Sequence, residues 1–389
     1  MYSHTTLETV QALFLLSTVA QNALRPHDCY MYLGMALRSA VAIGMHQESS
    51  RVADQHGRRR TWWAIYNLEL ELCCASGRPD GLPRQEHIMV DLPHLQEELP
   101  EVSMINVMVE YGRIARQVLG MIYLQRRTLQ EKLGSAREFD AALCNWRDSL
   151  ATTLYCGPQL EQPDYVERQS SIPFHIGSVR LLVEIVLELR FHHLRLLIHQ
   201  PVLIIPIERS ELYRWHIDNC LSSASSTVHH LHRAFKERQW FRSWWYNSTY
   251  CLFACMVLLY SILRKPLHQS IATVCHDVEM GLEVLQAMGS HRVVKRCYEL
   301  VSEVYELAKK VIQDQPAPNQ TGMSTNLEED PIFPTLVDPF LLEEFAFYSE
   351  ATPGIHPPPW NAEMEVEDEE TNSTLETFLS FMASRTGSV

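Results

Sequence analysis

The sequence lacks any cysteine pattern that would build a metal site or a disulfide framework. Its ten cysteines are scattered, no C-x-x-C pair occurs, and the only adjacent thiols are those of Cys73 and Cys74. Thiols spread through helical segments usually serve as small buried apolar groups. We therefore expect a reducing, intracellular compartment and no metal ligands among these residues.

The sequence also lacks an apolar run long enough to span a bilayer. The longest is Tyr250–Leu263, which is interrupted only by Ser261, whereas a membrane-spanning helix needs about 20 apolar residues. The N-terminus shows no basic start followed by an apolar stretch and a cleavage site. We expect no membrane insertion, no secretion signal, and a buried helix over Tyr250–Leu263.

Catalytic signatures are missing as well. There is no G-x-S-x-G elbow, no P-loop and no G-x-G-x-x-G. A helical enzyme of the terpene-synthase type needs aspartate-rich magnesium motifs on facing helices, and the chain has no D-D-x-x-D. Asn219 and Ser223 match the start of the N-x-x-x-S-x-x-x-E motif, but Thr227 replaces its glutamate. We predict no catalytic and no cofactor-binding residue.

Two groups of histidines are the remaining candidates for a metal site. They are His192-His193 and the cluster of His229, His230 and His232. Neighbouring residues on a helix point about 100° apart, and no cysteine or carboxylate at ligand spacing in the sequence joins the pair that shares a face. We predict surface or capping roles for these histidines.

The net charge of −14 is concentrated at the C-terminal end. Residues 313–389 contain fifteen acidic residues and one basic residue, Arg385, while residues 1–312 contain 32 of each sign. A neutral body argues against electrostatic capture of nucleic acid by this chain alone. We predict two parts, a body over residues 1–312 and an acidic tail over residues 313–389.

The body is typical of an all-α protein, because apolar residues recur at helical spacing and strict alternation is absent. Proline and glycine fall between the periodic segments, as expected where helices end. Helices with apolar stripes must bury them against each other, which predicts a multi-helix bundle or array. The clearest predicted helices lie at Gly177–His199, Glu211–Arg238, Ser243–Leu263, Ile271–Met288 and Arg292–Ile312, with further stripes at residues 7–14, 33–44, 62–74 and 104–122.

The most specific stretch is Ala36–Leu92, closed by a proline. It reads "ALRSAVAIGMHQESS" and then "RRRTWWAIYNLELELCCASGRPDGLPRQEHIMVDLP". This resembles the fungal-specific transcription factor domain, the middle homology region of fungal zinc-cluster regulators. That family typically shows A-x-x-x-A-x-x-x-G-L-H, R-R-R-x-W-W, G-R-P and a terminal L-P. The matching residues are Ala36, Ala40, Gly44, Met45, His46, Arg58, Arg59, Arg60, Trp62, Trp63, Gly77, Arg78, Pro79, Leu92 and Pro93.

Weaker similarity extends the resemblance over residues 5 to 312. The segments "FHHLRLLIHQPVL", "NCLSSASSTVHHLH" and "WWYNSTYCLFACMVLLYS" resemble the family's later helices. One departure lies after the paired tryptophans, where the family usually has Asp-Arg and this chain has Glu69-Leu70.

The motif residues are predicted to have structural roles. Paired tryptophans bring large apolar area to a helix start and can anchor it in a core. Three consecutive arginines point about 100° apart and cannot present one face to DNA. Cations at a helix N-terminus oppose the helix dipole, so we expect carboxylate or carbonyl partners, with Glu69, Glu71 and Asp91 as candidates. Gly77 is the expected helix cap, and Arg78 is expected to reach the last carbonyls.

The tail mixes acidic residues with aromatics and leucines in two islands, Leu327–Tyr348 and Trp360–Phe381. Such composition is typical of a mostly disordered activation segment that folds on a partner. The alternatives are an inert tail, or one helix over Pro339–Tyr348 that docks on the body. The candidate activation contacts are Phe340, Leu341, Phe345 and Phe347.

The resemblance implies a nuclear regulator of RNA polymerase II transcription, for a metabolic or biosynthetic gene set. Its implied partners are co-activators or partner transcription factors, with a homodimer as an option and no membrane. The family's DNA-binding module needs six cysteines around two zinc ions, and this sequence has no such cluster. We therefore expect contact with DNA, and zinc, only through an upstream module or a partner. The alternatives are a co-regulator that modulates a partner factor and, more remotely, a helical enzyme.

Overall fold

The computed structural model describes residues 5–48, 54–93, 100–155, 176–204, 210–237, 241–242, 244–263, 270–289 and 291–313. Regular structure within these ranges is helical, and the only extended pairing there is an isolated bridge between Gln47 and Met89. The all-α prediction is confirmed. Residues 314–389 lie outside the described residues, so the predicted tail stays a prediction. No helix in the described ranges combines the length and apolar character needed to cross a membrane.

The chain divides into two compact units. The first contains the described residues up to Ile198 together with Trp244–Tyr246, and the second contains the other described residues from His199 onward. No change of composition marks the boundary near residue 198, because the helices on either side of it, Ile176–His199 and Glu211–Glu237, both mix apolar and polar residues.

The first unit contains six helices among the described residues. A π-helical stretch extends α4, and a short 3-10 turn precedes it. The bounds are α1 Leu7–Asn22, α2 Pro26–Ala42, α3 Gln55–Ser76, α4 Pro100–Val118, the π-helix Leu119–Leu124, α5 Leu129–Tyr155, α6 Ile176–His199 and the 3-10 turn Gln85–His87.

α1 and α2 form an antiparallel hairpin. The Thr6 hydroxyl caps α1 by accepting the Thr9 amide, and Pro26 occupies the first turn of α2, where its missing N–H costs nothing. Between the helices Leu24 adopts φ 54°, a left-handed conformation that usually needs glycine. Its side chain is buried, and this burial compensates for the backbone cost of the tight turn.

Two apolar clusters hold the first unit together. One gathers α1 and α2 around α3, and the other gathers α4, α5 and α6. α3 packs against α1, α2 and α4, so it connects both clusters. Its largest fully buried side chains are Trp62, Trp63 and Tyr66.

The sequence analysis did not identify α5. Charged residues interrupt its apolar stripe, which is narrow and consists of Ala136, Phe139, Leu143 and Trp146. A local signal does mark its start, because Glu131 accepts the Thr128 amide at 2.8 Å and Thr128 Oγ1 accepts the Glu131 amide at 3.4 Å. This is a capping box. The sequence pattern of this capping box, T-x-x-E before an apolar stripe, predicts a helix that begins here.

The second unit contains four helices among its described residues, α7 Glu211–Glu237, α8 Asn247–Leu263, α9 Ile271–Ala287 and α10 Arg292–Gln313, with a 3-10 segment at Gln200–Ile204. α8 packs against α7, α9 and α10 and is buried on nearly every side. α9 approaches α8 closely at Gly281, where an added methyl group would overlap the Cys255 sulfur. The apolar run that is too short for a membrane is therefore the core helix of this unit.

We expect Gly77→Ala and Gly134→Ala to change stability in opposite directions. Gly77 ends α3 with φ 61°, so a Cβ there should lower the free energy of unfolding by about 1–2 kcal/mol. Gly134 lies inside α5 with open space at its Cβ position, so alanine there should raise it by about 0.5–1 kcal/mol. Denaturant unfolding measures both. Two changes of the same sign would contradict the assigned backbone conformations.

Candidate functional site

The motif residues gather around the two ends of α3 in the first unit. Asp54 begins the helix, and its side chain accepts the Gly57 amide at 2.8 Å. Trp62 and Trp63 follow within two turns and are almost fully buried. Trp63 Nε1 donates to the Asp91 carbonyl at 3.0 Å, which attaches the segment after the 3-10 turn to α3. The tryptophans therefore serve as the predicted core anchors.

The three arginines of the motif have different environments. Arg58 Nη2 donates to the Ile43 carbonyl at 2.7 Å. Arg59 Nε lies 2.7 Å from Glu48 Oε1, and its Nη2 lies 3.6 Å from Asp91 Oδ2. Arg60 is exposed. Arg58 and Arg59 are thus engaged by the protein itself, as cations at a helix start require, and the triplet presents no common face.

Glu48 connects the two segments that flank this helix start. The same Oε1 atom that accepts Arg59 also accepts the Asp91 amide at 3.0 Å. The backbone pairs alongside, because the Met89 amide donates to the His46 carbonyl at 2.8 Å and the Glu48 amide donates to the Met89 carbonyl at 3.2 Å. One carboxylate therefore ties the segment after α2 to the segment after the 3-10 turn.

Gly44 and His46 shape the chain where it leaves α2. Gly44 has φ 71°, which glycine adopts readily. The His46 ring lies 5.9 Å from the Trp62 ring. Burial, and secondarily the nearby His87, lowers the pKa of His46, which favours the neutral imidazole. This histidine acts as an aromatic packing group.

The G-R-P segment turns the chain at the end of α3. Gly77 is the left-handed cap, as predicted, and its amide donates to the Cys73 carbonyl. The Arg78 guanidinium lies 4.5 Å from the centre of the Tyr30 ring. Pro79 offers its carbonyl to the Cys73 thiol at 3.7 Å. The side chain of Arg78 thus contacts the α1–α2 hairpin, and its expected contact with the last carbonyls of α3 stays a prediction.

Two carboxylates hold the segment after Pro79. Glu69 is buried and accepts the Gly81 amide at 2.8 Å. Asp80 binds Arg116 of α4 through two hydrogen bonds of 2.7 and 3.0 Å, the bidentate geometry that arginine favours. Arg116 also donates to the carbonyls of Leu82 and Pro83. The turn is therefore fixed to both α3 and α4.

Pro93, the last motif residue, closes this arrangement. Its carbonyl accepts the Asn106 side-chain amide from α4 at 3.0 Å. Among the three predicted arginine partners, Asp91 does lie beside Arg59. Glu69 holds the Gly81 turn, and Glu71 pairs with Arg190 of α6. The expected contacts of these two carboxylates with the motif arginines stay a prediction. The sequence analysis missed Glu48, Asp80 and Arg116.

The second unit contains polar clusters whose carboxylates come from a neighbouring helix. His229 Nε2 lies 2.7 Å from Asp277 Oδ1, and the Ser225 hydroxyl donates to the other oxygen of Asp277 at 2.5 Å. His232 pairs with Glu283 at 2.7 Å. The histidines thus link α7 to α9. Because serine and histidine both bind the carboxylate, the histidine is not placed as a base for the serine.

One further histidine pair lies inside the second unit. The Nδ1 atoms of His199 and His216 are 2.8 Å apart, and both residues are fully buried. Trp215 contacts both rings edge-on. Since a ring nitrogen must donate and its partner accept, this contact fixes complementary proton positions in the two rings.

Three thiols in the described part of the first unit are poorly suited to nucleophilic chemistry. Burial raises the pKa of Cys29 to about 12 and that of Cys74 to about 12, and it raises the pKa of Cys73 even further. A protonated thiol is a weak nucleophile and a weak metal ligand. The candidate activation contacts Phe340, Leu341, Phe345 and Phe347 lie outside the described residues.

Residues 2–148 match the fungal specific transcription factor domain, a range that contains every motif residue from Gly44 to Pro93. The chain is 22% identical to the ABC-transporter-regulating transcription factor of Aspergillus fumigatus, over 85% of this chain and 39% of that protein. It is 28% identical to transcription factor FBD3 of Fusarium pseudograminearum, over 51% of this chain and 28% of that protein. It is 22% identical to Activator of stress genes 1 of Saccharomyces cerevisiae, over 79% of this chain and 34% of that protein.

The chain spans less than half the length of these relatives. No solved structure matches it.

We expect Glu69→Gln to change how stability depends on pH. Burial raises the pKa of the Glu69 carboxyl above its ordinary value, so the folded state favours the protonated form. Its contribution is fully present below the unfolded pKa of about 4.3 and is lost as pH rises through the folded pKa. The stability of Glu69→Gln relative to the unchanged protein should therefore increase from acid pH to neutrality.

Denaturant unfolding at a series of pH values measures this difference, with Glu86→Gln as the control at an exposed carboxyl. A difference for Glu69→Gln that stays constant, or that falls with rising pH, would contradict the role of burial.

Proposed function

We propose that the protein regulates transcription by RNA polymerase II, on the premise that residues 2–148 match the fungal specific transcription factor domain. The domain match, with its motif residues built into one packed unit, is the observation that carries the proposal. The printed names of two relatives describe a regulator of ABC transporters and an activator of stress genes. From these relatives we take only the class of protein, a transcription regulator. We propose that this chain acts in the nucleus on a metabolic or biosynthetic gene set.

The helical body acts, in this proposal, through contacts with proteins. Residues 1–312 have equal numbers of acidic and basic residues, and Arg58 and Arg59 are engaged within the fold. Non-specific DNA affinity rises with the number of phosphates that free cations neutralise, and this body offers little excess charge. Contact with DNA is then supplied by another module, in the same protein or in a partner factor, and zinc belongs to that module.

The acidic tail is proposed to recruit co-activators. Its fifteen carboxylates keep the interspersed aromatic residues hydrated, and those aromatics can then fold onto a partner surface. Phe340, Leu341, Phe345 and Phe347 are the proposed contacts. The body would restrain or direct this tail and would hold partner factors.

A non-catalytic role is part of the proposal. The family and the relatives are transcription factors. Arg58, Arg59 and Trp63 of the motif segment are bonded to neighbours within the fold. His229 and His232 of α7 pair with carboxylates of α9. These contacts favour a structural role for the residues over a role in catalysis.

We expect the tail, fused to a heterologous DNA-binding domain, to activate a reporter gene. Replacing Phe340, Phe345 and Phe347 together with alanine should abolish the activation, because the apolar contacts with co-activators are lost. The matched control replaces Thr321, Ser324 and Thr325 of the same tail with alanine and should leave activation intact. Immunoblots and nuclear imaging verify that each fusion is present.

A fusion of the full chain completes the experiment. Regulation of the reporter by the full chain with a silent tail would refute the activation segment and favour a modulator of partner factors. A full chain that changes the reporter neither up nor down, while expressed and nuclear, would contradict the proposed function.

A further inference from the structure

The α1–α2 hairpin carries a concentration of exposed apolar side chains. Nine large apolar residues are exposed in the described parts of the chain, and five of them lie on these two helices. Their exposed fractions run from 48% to 65%. We call this set the hairpin patch; it consists of Leu15, Leu16, Val19, Met31 and Met35.

The patch lies on the outer side of the hairpin. α1 buries Val10 and Ala20, and α2 buries Leu33 and Ala40, in the same apolar cluster around α3. Each helix therefore turns its opposite face to solvent. Because α1 and α2 are antiparallel neighbours joined by a short turn, their exposed stripes lie side by side. Contiguous apolar surface of this kind marks an interaction site more often than scattered single residues do.

Charge is nearly absent from this surface. α1 has one charged residue, Glu8, in its sixteen positions. On the exposed stripe of α2, His27 precedes the two methionines and Arg38 follows them. An apolar centre with polar residues at its margin is the usual anatomy of a protein–protein interface. A nucleic acid or an acidic segment would need several cations within the patch, which it does not offer.

We infer that the hairpin patch is the contact surface for a second copy of this chain. A two-fold dimer places the same surface on both sides, so charged residues inside the patch would face like charges, and here they are missing. Methionine side chains are flexible enough to fit against their own copies. The exposed area of the five side chains is on the order of 500 Å² per copy, so two copies would bury about 1,000 Å², the lower limit for a specific interface.

The resulting arrangement is a four-helix contact made by two α1–α2 hairpins. It is independent of the proposed function, because it can be measured on the purified chain without DNA or a reporter. A negative reporter experiment would not bear on the dimer contact. A chain that does not dimerise would not bear on the reporter result.

Sedimentation velocity of the full chain over a series of concentrations tests the inference. We expect a monomer–dimer equilibrium that Val19→Glu and Val19→Lys each weaken by about tenfold or more, because an unpaired charge then enters the apolar contact. Mixing the two variants in equal amounts should restore part of the dimer, since the two patches then carry opposite charges.

Leu212→Glu is the control, because Leu212 is an exposed apolar residue in the first turn of α7, outside the patch. It should leave the equilibrium unchanged, and circular dichroism verifies the fold of every variant. A chain that stays monomeric at all concentrations would overturn the inference. So would a dimer that the Val19 variants leave intact.

Discussion

The burial of α3 is the constraint on which the first unit depends. Tryptophans near its start and apolar residues along its length are enclosed by α1, α2 and α4. A helix enclosed in this way stabilises the unit only if its neighbours are held at the correct distance, because interiors are packed as densely as organic crystals. The segments that enter and leave α3 must therefore be fixed as firmly as the helix itself.

Carboxylates fix those segments. Glu48, Glu69 and Asp80 each accept a backbone amide from a connecting segment, and Glu48 and Asp80 also bind an arginine. Connecting segments have amides that no helix satisfies, and an ionised or buried carboxyl is a strong acceptor for them. This explains why a segment that resembles a regulatory-domain motif consists of arginine, tryptophan, glycine and proline. Arginine supplies the charge, tryptophan supplies the buried anchor, and glycine and proline supply the turns.

Local features of the fold could be predicted from the sequence, whereas partners distant in sequence could not. Helical periodicity identified nine of the described helices, and the Gly77 cap follows from glycine at a helix end. α5 was missed because charges interrupt its stripe, although its capping box was visible. Glu48 lies outside any regular element, and Asp80 meets Arg116 across 36 residues. Such pairs depend on how the helices pack, and spacing along the chain does not encode that.

The contacts of the motif segment hold the first unit together, and we expect this segment to make no direct contact with DNA or ligand. The most direct measurement is a double-mutant cycle on the free energy of unfolding with Glu48→Ala, Arg59→Ala and the double variant. We predict that each single change destabilises the chain and that the two are coupled by about 1 kcal/mol. Unchanged stability in all three variants, with transcriptional output lost when Arg59 is replaced, would contradict the account and place this arginine at a functional contact.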